Sequence, residues 1–352
     1  MRNGRSLQAI AQELERQLES KKDLVLPASL MRHETSDQGE TRLIIDDPRG
    51  GSFVVTELAR RQLAAKLNIP YPYFDRMRKE QAPLLDDNVN TWLRCNGEHA
   101  MVRTLDGQAR AVLSDSYRRL DNYDLAEAVL PVLQALPNVR FESAELTPTR
   151  MYLKVVVPPL AYTIAPGDVI LGGVAIINSE VGHGRLAVHQ MLFRVVCANG
   201  LIVPDSVFKK THIGRALGEG SSLQVFQEDT LRADDKAFFL AVRDVVRDAV
   251  SEMGFQREAL KMQRTLDIKL AGDPVKTVEV LANRYELNEG ERTGVLRHLV
   301  NGGDLSAYGL INAVTHFSKE VDDYDRATEF EALGGELLEL TPKQWQGLAT
   351  AA

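Results

Sequence analysis

The sequence predicts an α+β protein in which a mostly antiparallel central sheet with flanking helices precedes an all-helical C-terminal region. Asp106-Gly107 joins two runs of alternating apolar residues over 101–113, which is the strongest short-range signal for a β-hairpin. Four β-type runs follow within 139–197, and their short connections favour antiparallel pairing. From residue 229 onward, apolar residues recur at helical spacing.

The N-terminal region, residues 1–98, is predicted to combine helices with short strands and to pack on the core. Apolar residues at spacings of three and four predict a helix over 6–20, with Ser6 as its N-cap. Residues 42–55 predict two short strands around a Pro/Gly turn. Thr56 begins a second helix that the prolines of 68–74 break, and 82–95 predict another.

Residues 99–215 are predicted to form the β-rich core. After the hairpin, a helix is expected from about Asn122 to Ala135, followed by strands at 139–146, 150–157, 168–178 and 185–197. We expect Asn199-Gly200 to supply left-handed turn geometry, and Asn178-Ser179 to close a turn through side-chain hydrogen bonds.

The C-terminal region, residues 229–352, is predicted to be an acidic helical unit behind a Gly/Ser-rich linker at 216–228. Helices are expected near 230–251, 274–286, 289–300, 305–318, 324–333 and 342–350. Asp273-Pro274 and Thr341-Pro342 mark helix starts, and the pairs Gly302-Gly303 and Gly334-Gly335 are expected after helix ends.

The amino-acid composition excludes several classes of protein. Of the 352 residues, 44% are hydrophobic and 26% are charged, which is typical of a soluble globular protein. The sequence has no apolar run of the roughly 18–20 residues that a membrane span needs, no signal-peptide pattern and only two cysteines, so we expect a cytoplasmic protein. The entire net charge of −7 lies in 229–352, which excludes a uniformly basic coat and leaves room for a local basic groove.

Motifs for metal, nucleotide and nucleophile sites are absent from the sequence. It contains no HExxH, CxxC, GxxxxGK[ST], GxGxxG or GxSxG. His183 and His189 are six residues apart and could share one face of a strand, but Gly182 and Gly184 place His183 in a turn. We therefore expect structural or solvent-facing histidines, and a thiol at Cys197 that is buried at a strand end. No metal and no cofactor are therefore predicted.

Basic residues near the hairpin are more informative. Arg103 and Arg110 alternate with apolar residues, so we expect both to face away from the core. The stretch SYRRLDNY mixes arginines with tyrosines, which suits phosphate contacts and base stacking. An exposed sheet face with ordinary solubilising arginines is the alternative. The predicted nucleic-acid-binding residues are Arg103, Arg110, Tyr117, Arg118, Arg119, Tyr123, Arg194, Lys209, Lys210, His212 and Arg215.

Three stretches resemble the phage/plasmid-like protein family, whose shared domain has no assigned function. They are RAVLSDSYRRLDNYDL (110–125), GGVAIINSEVG (172–182) and MLFRVVCANGLIVPD (191–205), followed by THIGR (211–215). Residues 58–77 and 302–335 resemble flanks found in one branch of that family. The resemblance implies a gene of mobile elements and supplies no catalytic residues. The motif positions are Tyr117, Arg118, Asn122, Asn178, Glu180, Arg194, Cys197, Asn199 and Gly200.

Arg194 stands inside the apolar run MLFRVVC, so it must be ion-paired or line a polar groove. Glu180, near the end of the preceding predicted strand, has the right sign to be its partner. We therefore expect the two residues to form an ion pair.

Three hypotheses follow. In the first, the protein is a non-enzymatic, homo-oligomeric protein that binds or anneals single-stranded DNA, similar in layout to the RecT and Red-beta types of phage annealing protein. In it, alanine at Arg118 and Arg119 should weaken binding and flatten its salt dependence.

The second hypothesis is an enzyme acting on nucleic acid or nucleotides, with Glu180, Arg194, Asn199 and His212 around a pocket. The third is a host-interaction protein acting through its acidic C-terminal helices. The acidic segment 304–352 is its predicted partner site, where Tyr324, flanked by acids, suits partner contact or solvation.

Overall fold

The computed structural model describes residues 1–204 and 228–350 and has an α+β fold. The first part of the chain forms one helix, four strands, three helices and two strands. In order these are α1 (Leu7–Ser20), β1 (Lys22–Pro27), β2 (Met31–Thr35), β3 (Thr41–Ile45), β4 (Gly51–Val55), α2 (Glu57–Lys66), α3 (Tyr71–Glu80), α4 (Ala82–Cys95), β5 (His99–Leu105) and β6 (Gln108–Ser114).

The middle of the chain forms a helix and five strands, and the rest of the described chain is helical. The elements are α5 (Asn122–Gln134), β7 (Arg140–Leu146), β8 (Met151–Ala165), β9 (Asp168–Asn178), β10 (Ala187–Arg194), β11 (Asn199–Ile202), α6 (Glu228–Ala249), α7 (Glu252–Arg264), α8 (Pro274–Arg284), α9 (Glu289–Gly302), α10 (Ala307–Phe317), α11 (Tyr324–Leu338) and α12 (Pro342–Ala349). None of the helices in the described ranges is long and apolar enough to cross a membrane.

The first sheet has six strands in the order β1-β5-β6-β4-β3-β2, with β4 and β6 parallel and every other pair antiparallel. Asp106 and Gly107 both have positive φ (51° and 76°), so the predicted hairpin turn is confirmed. Apolar residues of this sheet and of α2, α3 and α4 form one buried cluster. Because β1 pairs with β5, the hairpin lies in the sheet of the N-terminal region, across the expected boundary between residues 98 and 99.

The second sheet has five antiparallel strands in the order β11-β10-β9-β8-β7. Helices α1, α5 and α6 share a buried apolar cluster with one side of this sheet. Helices α7–α12 share another cluster with residues of β8–β11. On the other side of the sheet, Tyr152 and Lys154 contact Tyr324 and Glu331 of α11, so helices cover both sides. The acidic helical region contributes to both clusters.

Several local expectations are wrong. The prolines of 68–74 do not only end a helix, because Pro72 lies in the first turn of α3, where its missing N–H costs nothing. Helix α7 was not predicted. Gly334 and Gly335 lie inside α11, and a Cβ on Gly335 would overlap the Ile202 carbonyl oxygen, so the glycine allows α11 to pack against β11.

The turn before β11 also differs from the prediction. Asn199 and Gly200 belong to β11, and the left-handed residue is Ala198, with φ of 48°. Strand β10 ends at Arg194 rather than at Cys197. The backbone therefore reverses at 195–198, which places Cys197 within a tight turn that begins directly after Arg194.

Candidate nucleic-acid interface and a second polar cluster

Arg103 lies at the centre of a charged cluster where the two sheets meet, which we call the junction. Its side chain is fully buried. Nε and Nη2 donate to the two Asp23 carboxylate oxygens at 2.8 and 3.1 Å, and Nη2 also donates to Asp121 at 2.6 Å. Nη1 donates to the Glu180 carbonyl oxygen at 2.8 Å. The expectation that Arg103 faces away from the protein interior is wrong, because Asp121, before α5, and Glu180, after β9, cover that face.

Glu180 is the second anchor of the junction, and 3% of its side chain is exposed. Its carboxylate accepts from Arg110 Nη2 at 2.8 Å and from the Asn122 backbone N–H at 2.7 Å. Lys21 lies 3.7 Å from the same carboxylate and 2.6 Å from Asp121. Because the Asn122 N–H begins α5, the carboxylate also lies at the positive end of that helix dipole.

Two further motif positions, Asn178 and Tyr117, also belong to the junction. Asn178 Nδ2 donates to the Leu120 carbonyl oxygen and to Asn122 Oδ1, at 2.9 and 2.8 Å. The Tyr117 hydroxyl donates to the Ser179 carbonyl oxygen at 3.1 Å. Ser179 Oγ accepts from the His183 N–H at 2.9 Å, so the expected side-chain closure of this turn is confirmed for Ser179.

Charge on the junction residues is almost balanced. Lys21, Arg103, Arg110 and Arg119 meet Asp23, Asp121 and Glu180, which leaves one surplus positive charge. Burial raises the pKa of Asp121, but the charges of Arg103 and Lys21 and their hydrogen bonds outweigh it and hold that pKa below its ordinary value.

Exposed basic groups lie at the edge of the junction. Arg119 is 51% exposed and 3.6 Å from Asp23. In the β9–β10 turn, His183 is exposed between Gly182 and Gly184, which both have positive φ, and Arg185 is exposed directly after Gly184. Arg150 Nε donates to the His183 carbonyl oxygen at 3.1 Å. We call Arg119, Arg150, His183 and Arg185 the rim.

Arg118 points away from the rim, towards α6. It pairs with Asp234 and Asp235, each at 3.0 Å, and its guanidinium lies 4.4 Å from the centre of the Phe238 ring. Tyr123, half-buried, packs against the apolar cluster of α1, α5 and α6. In this structure neither Arg118 nor Tyr123 offers the exposed phosphate or stacking contact that the sequence predicted.

Arg194 belongs to a second polar cluster, at the opposite end of the second sheet from Glu180. It is indeed ion-paired, as predicted, but its partner is Asp168, through Nε–Oδ1 and Nη2–Oδ2 distances of 2.8 and 2.7 Å. The expected pairing with Glu180 is wrong. Arg194 lies opposite Ile170 on β9, whereas Glu180 follows the other end of that strand, about 30 Å away at the usual rise per residue.

Helix α10 completes the Arg194 cluster. The Tyr308 hydroxyl donates to Asp168 Oδ2 at 2.7 Å. Asn199 Nδ2 donates to Thr315 Oγ1 at 2.5 Å and lies 3.4 Å from Asn312 Oδ1. Gly200 is buried in β11, opposite Phe193. Three of the nine motif positions, Arg194, Cys197 and Asn199, therefore lie beside α10, a contact that the sequence did not predict.

Burial and hydrogen bonding change the acidity of this cluster. Burial raises the pKa of Asp168, but hydrogen bonds from Arg194 and Tyr308 outweigh it and leave that pKa below its usual value. The pKa of the Tyr308 hydroxyl is raised, mainly by burial and then by its bond to Asp168. Asp168 is therefore ionised and Tyr308 protonated at neutral pH.

A third buried ion pair was missed because its two members are far apart in sequence. Lys154 on β8 lies 2.8 Å from Glu331 on α11, and both side chains are inaccessible to solvent. Tyr324 packs against Tyr152 and is hydrogen-bonded to Ser143 at 2.6 Å. The expectation that Tyr324 contacts a partner or solvent is wrong, because the second sheet covers it.

Lys209, Lys210, His212 and Arg215, and most of the predicted linker at 216–228, lie outside the described residues. Within 1–204 and 228–350, no group of three or more His, Cys, Asp or Glu side chains could hold a metal ion. The predicted enzymatic constellation is not assembled, since Glu180 and Arg194 are at opposite ends of the sheet.

Comparison of the chain with protein-family models, curated proteins and solved structures gives no match in any of the three. The resemblance to the phage/plasmid-like family therefore stays a hypothesis, and function has to be argued from the site alone.

Proposed function

We propose that the protein binds single-stranded DNA along the rim of the junction. The supporting observation is the surplus positive charge of the junction, whose outermost cation, Arg119, is half exposed. Exposed cations attract phosphates by releasing condensed counterions, without reading sequence. Arg103 and Arg110, buried or nearly so, act by holding the two sheets together beneath the rim.

The β9–β10 turn suits the close approach of a nucleic-acid backbone. Gly182 and Gly184 present little besides main chain, and the exposed His183 and Arg185 each follow one of them. The Tyr117 ring lies beside Gly182 and offers the one aromatic surface among the predicted residues that is near this turn. Single strands expose base faces for such stacking, which duplexes do not.

We extend the proposal to strand annealing by a homo-oligomer. The protein would be encoded by a phage or plasmid and act in the bacterial cytoplasm during recombination or replication. Annealing needs two strands held side by side, which a homo-oligomer supplies by repeating the rim. This part rests on the family resemblance and on the layout of a DNA-binding core with an acidic helical region.

The test compares two double variants with equal change in charge. Arg119→Ala with Arg185→Ala removes two rim cations, and Arg49→Ala with Arg76→Ala removes two exposed cations from other parts of the first sheet and its helices. Since each phosphate contact on a single strand contributes about 0.7 to the slope of log K against log salt, the rim variant should lose a slope of about 1.4.

Fluorescence anisotropy of a labelled oligonucleotide over a salt series measures both slopes. The control variant should keep the wild-type slope. Equal losses in both variants would mean that general charge, rather than the rim, attracts the DNA. An unchanged slope in the rim variant would remove the rim from the interface.

A further inference from the structure

A cavity of about 250 Å³ lies beside Arg194, between the 195–198 turn and helices α9 and α10. The second sheet supplies Arg194 and Cys197, and α9 and α10 supply His298, Tyr308 and His316. The proposed DNA interface uses none of these residues, and the junction lies at the other end of β9. The proposed DNA binding therefore does not account for this cavity.

Arg194 is held in a fixed orientation towards Cys197. Asp168 binds its Nε and Nη2, and Tyr308 in turn fixes Asp168. The remaining nitrogen, Nη1, lies 3.4 Å from Cys197 Sγ. The Lys319 ammonium donates to the Cys197 carbonyl oxygen, which brings a second cation to this residue. A thiol flanked by cations is the usual environment of a nucleophilic cysteine.

Two histidines form a relay that ends at the cavity. Glu320 Oε1 lies 2.8 Å from His298 Nε2, and His298 Nδ1 lies 2.9 Å from His316 Nδ1. An ionised carboxylate can only accept hydrogen bonds, so a neutral His298 carries its proton on Nε2 and donates it to Glu320. His298 Nδ1 then accepts a hydrogen bond from His316 Nδ1–H. This tautomer leaves Nε2 of His316 without a proton, as a base.

The protonation state of His316 supports this tautomer. Burial, with the nearby His298 and Lys319, lowers the pKa of His316 to about 4. The ring is therefore neutral at physiological pH. A nucleophile, a base and a group that orients the base are the three parts of a nucleophilic site, and here they are Cys197, His316 and the pair His298–Glu320.

We propose that the cavity is a nucleophilic thiol site, in which Cys197 attacks a small electrophile that carries a leaving group, such as an activated acyl or alkyl compound. The sulfur forms a bond to the electrophilic carbon, and the leaving group departs with the electron pair of the broken bond. His316 Nε2 passes the thiol proton on to solvent, because a ring with a pKa of about 4 does not keep it at neutral pH. Arg194 stabilises the negative charge on sulfur before the attack.

Cys95 provides an internal control. It is exposed at the C-terminal end of α4, where the helix dipole disfavours negative charge on sulfur. Cys197 is less exposed, so simple accessibility predicts that Cys95 reacts faster. The proposal predicts the reverse order.

The experiment treats the full chain with a small amount of iodoacetamide at pH 7 and follows each cysteine by peptide mass spectrometry. In this reaction the C–S bond forms, the C–I bond breaks and iodide leaves. Cys197 should be alkylated at least about tenfold faster than Cys95, in keeping with thiolate control of reactivity. His316→Gln and Arg194→Gln should each lower the Cys197 rate several-fold and leave the Cys95 rate unchanged.

Each outcome decides the question. If Cys197 in the folded wild type reacts no faster than Cys95, the proposal is wrong. It is also wrong if a fast Cys197 is unaffected by both substitutions. Circular dichroism identifies a variant that has unfolded, and Glu320→Gln, on an exposed carboxylate, then tests the relay with little risk to the fold.

Discussion

Arg103 and Arg194 each project from a strand and are each held by an aspartate through two nitrogens, yet they lie in different surroundings. Arg103 is fully buried and also binds Asp121 and the Glu180 carbonyl oxygen. Arg194 is 21% exposed and directs its last nitrogen at a sulfur beside a cavity. The comparison teaches that an arginine in an apolar strand has a structural role where protein groups accept hydrogen bonds from all its nitrogens. Where a cavity adjoins the guanidinium, one nitrogen can instead interact with a reacting group.

The largest effect should come from Arg103→Met. The substitution removes the cation that Asp23 and Asp121 share in a poorly hydrated junction. Breaking a buried ion pair by removing one partner typically costs about 3–5 kcal/mol, and we expect a loss in this range in the free energy of unfolding. Urea denaturation followed by circular dichroism measures it.

Arg16→Ala is the matched control. Arg16 also contacts two carboxylates, those of Glu13 and Asp106, but it is half exposed. Exposed pairs contribute about 0–1 kcal/mol. Equal losses of unfolding free energy in the two variants would show that the buried ion pairs of the junction contribute no more than an exposed pair.

Arg194→Met should destabilise the protein less than Arg103→Met. Asp168 keeps the hydrogen bond from Tyr308, and its pairing site adjoins a cavity that water can enter. Because hydrogen bonds to a charged group are lost, we expect the free energy of unfolding to fall by about 1.5–3 kcal/mol. The same urea titration measures it, and a loss as large as that of Arg103→Met would contradict the distinction between the two arginines.

The smallest effect is a dependence on pH. Because the pKa of Asp121 is lower in the folded protein than in the unfolded chain, the folded state binds protons less readily. Its contribution to stability is complete above the ordinary aspartate pKa of about 3.9 and is lost as pH falls through the lower, folded value. The destabilisation caused by Arg103→Met should therefore shrink as pH falls below about 4. A constant difference over that range would argue against the Arg103–Asp121 interaction.

Local patterns predicted most of the elements. Alternation and Asp106-Gly107 identified the hairpin, and helix caps such as Asp273-Pro274 located helix starts. The α7 helix escaped prediction, and β11 was read as a turn because Asn-Gly favours left-handed backbone, a role that Ala198 takes instead. Single-residue propensity is outweighed there by pairing with β10.

The sites were harder to predict, because their partners come from distant segments. Alternation correctly separates the two faces of β5, but it cannot show that Asp121 and Glu180 cover the face of Arg103. The partner of Arg194 was sought at Glu180, whereas Asp168 lies on β9 beside the end of β10. The β9–β10 turn sets this register, and the sequence did not reveal the length of that turn. His298 and His316 lie more than 100 residues from Cys197, and no local spacing connects them.

The most direct test of the proposed function is binding of the wild-type protein to a labelled single-stranded oligonucleotide, measured by anisotropy across a salt series with duplex as control. The account predicts binding that weakens as salt rises and that favours the single strand, since the rim supplies exposed cations and Tyr117 a stacking surface. Absence of binding even at low salt, or equal affinity for duplex, would contradict it.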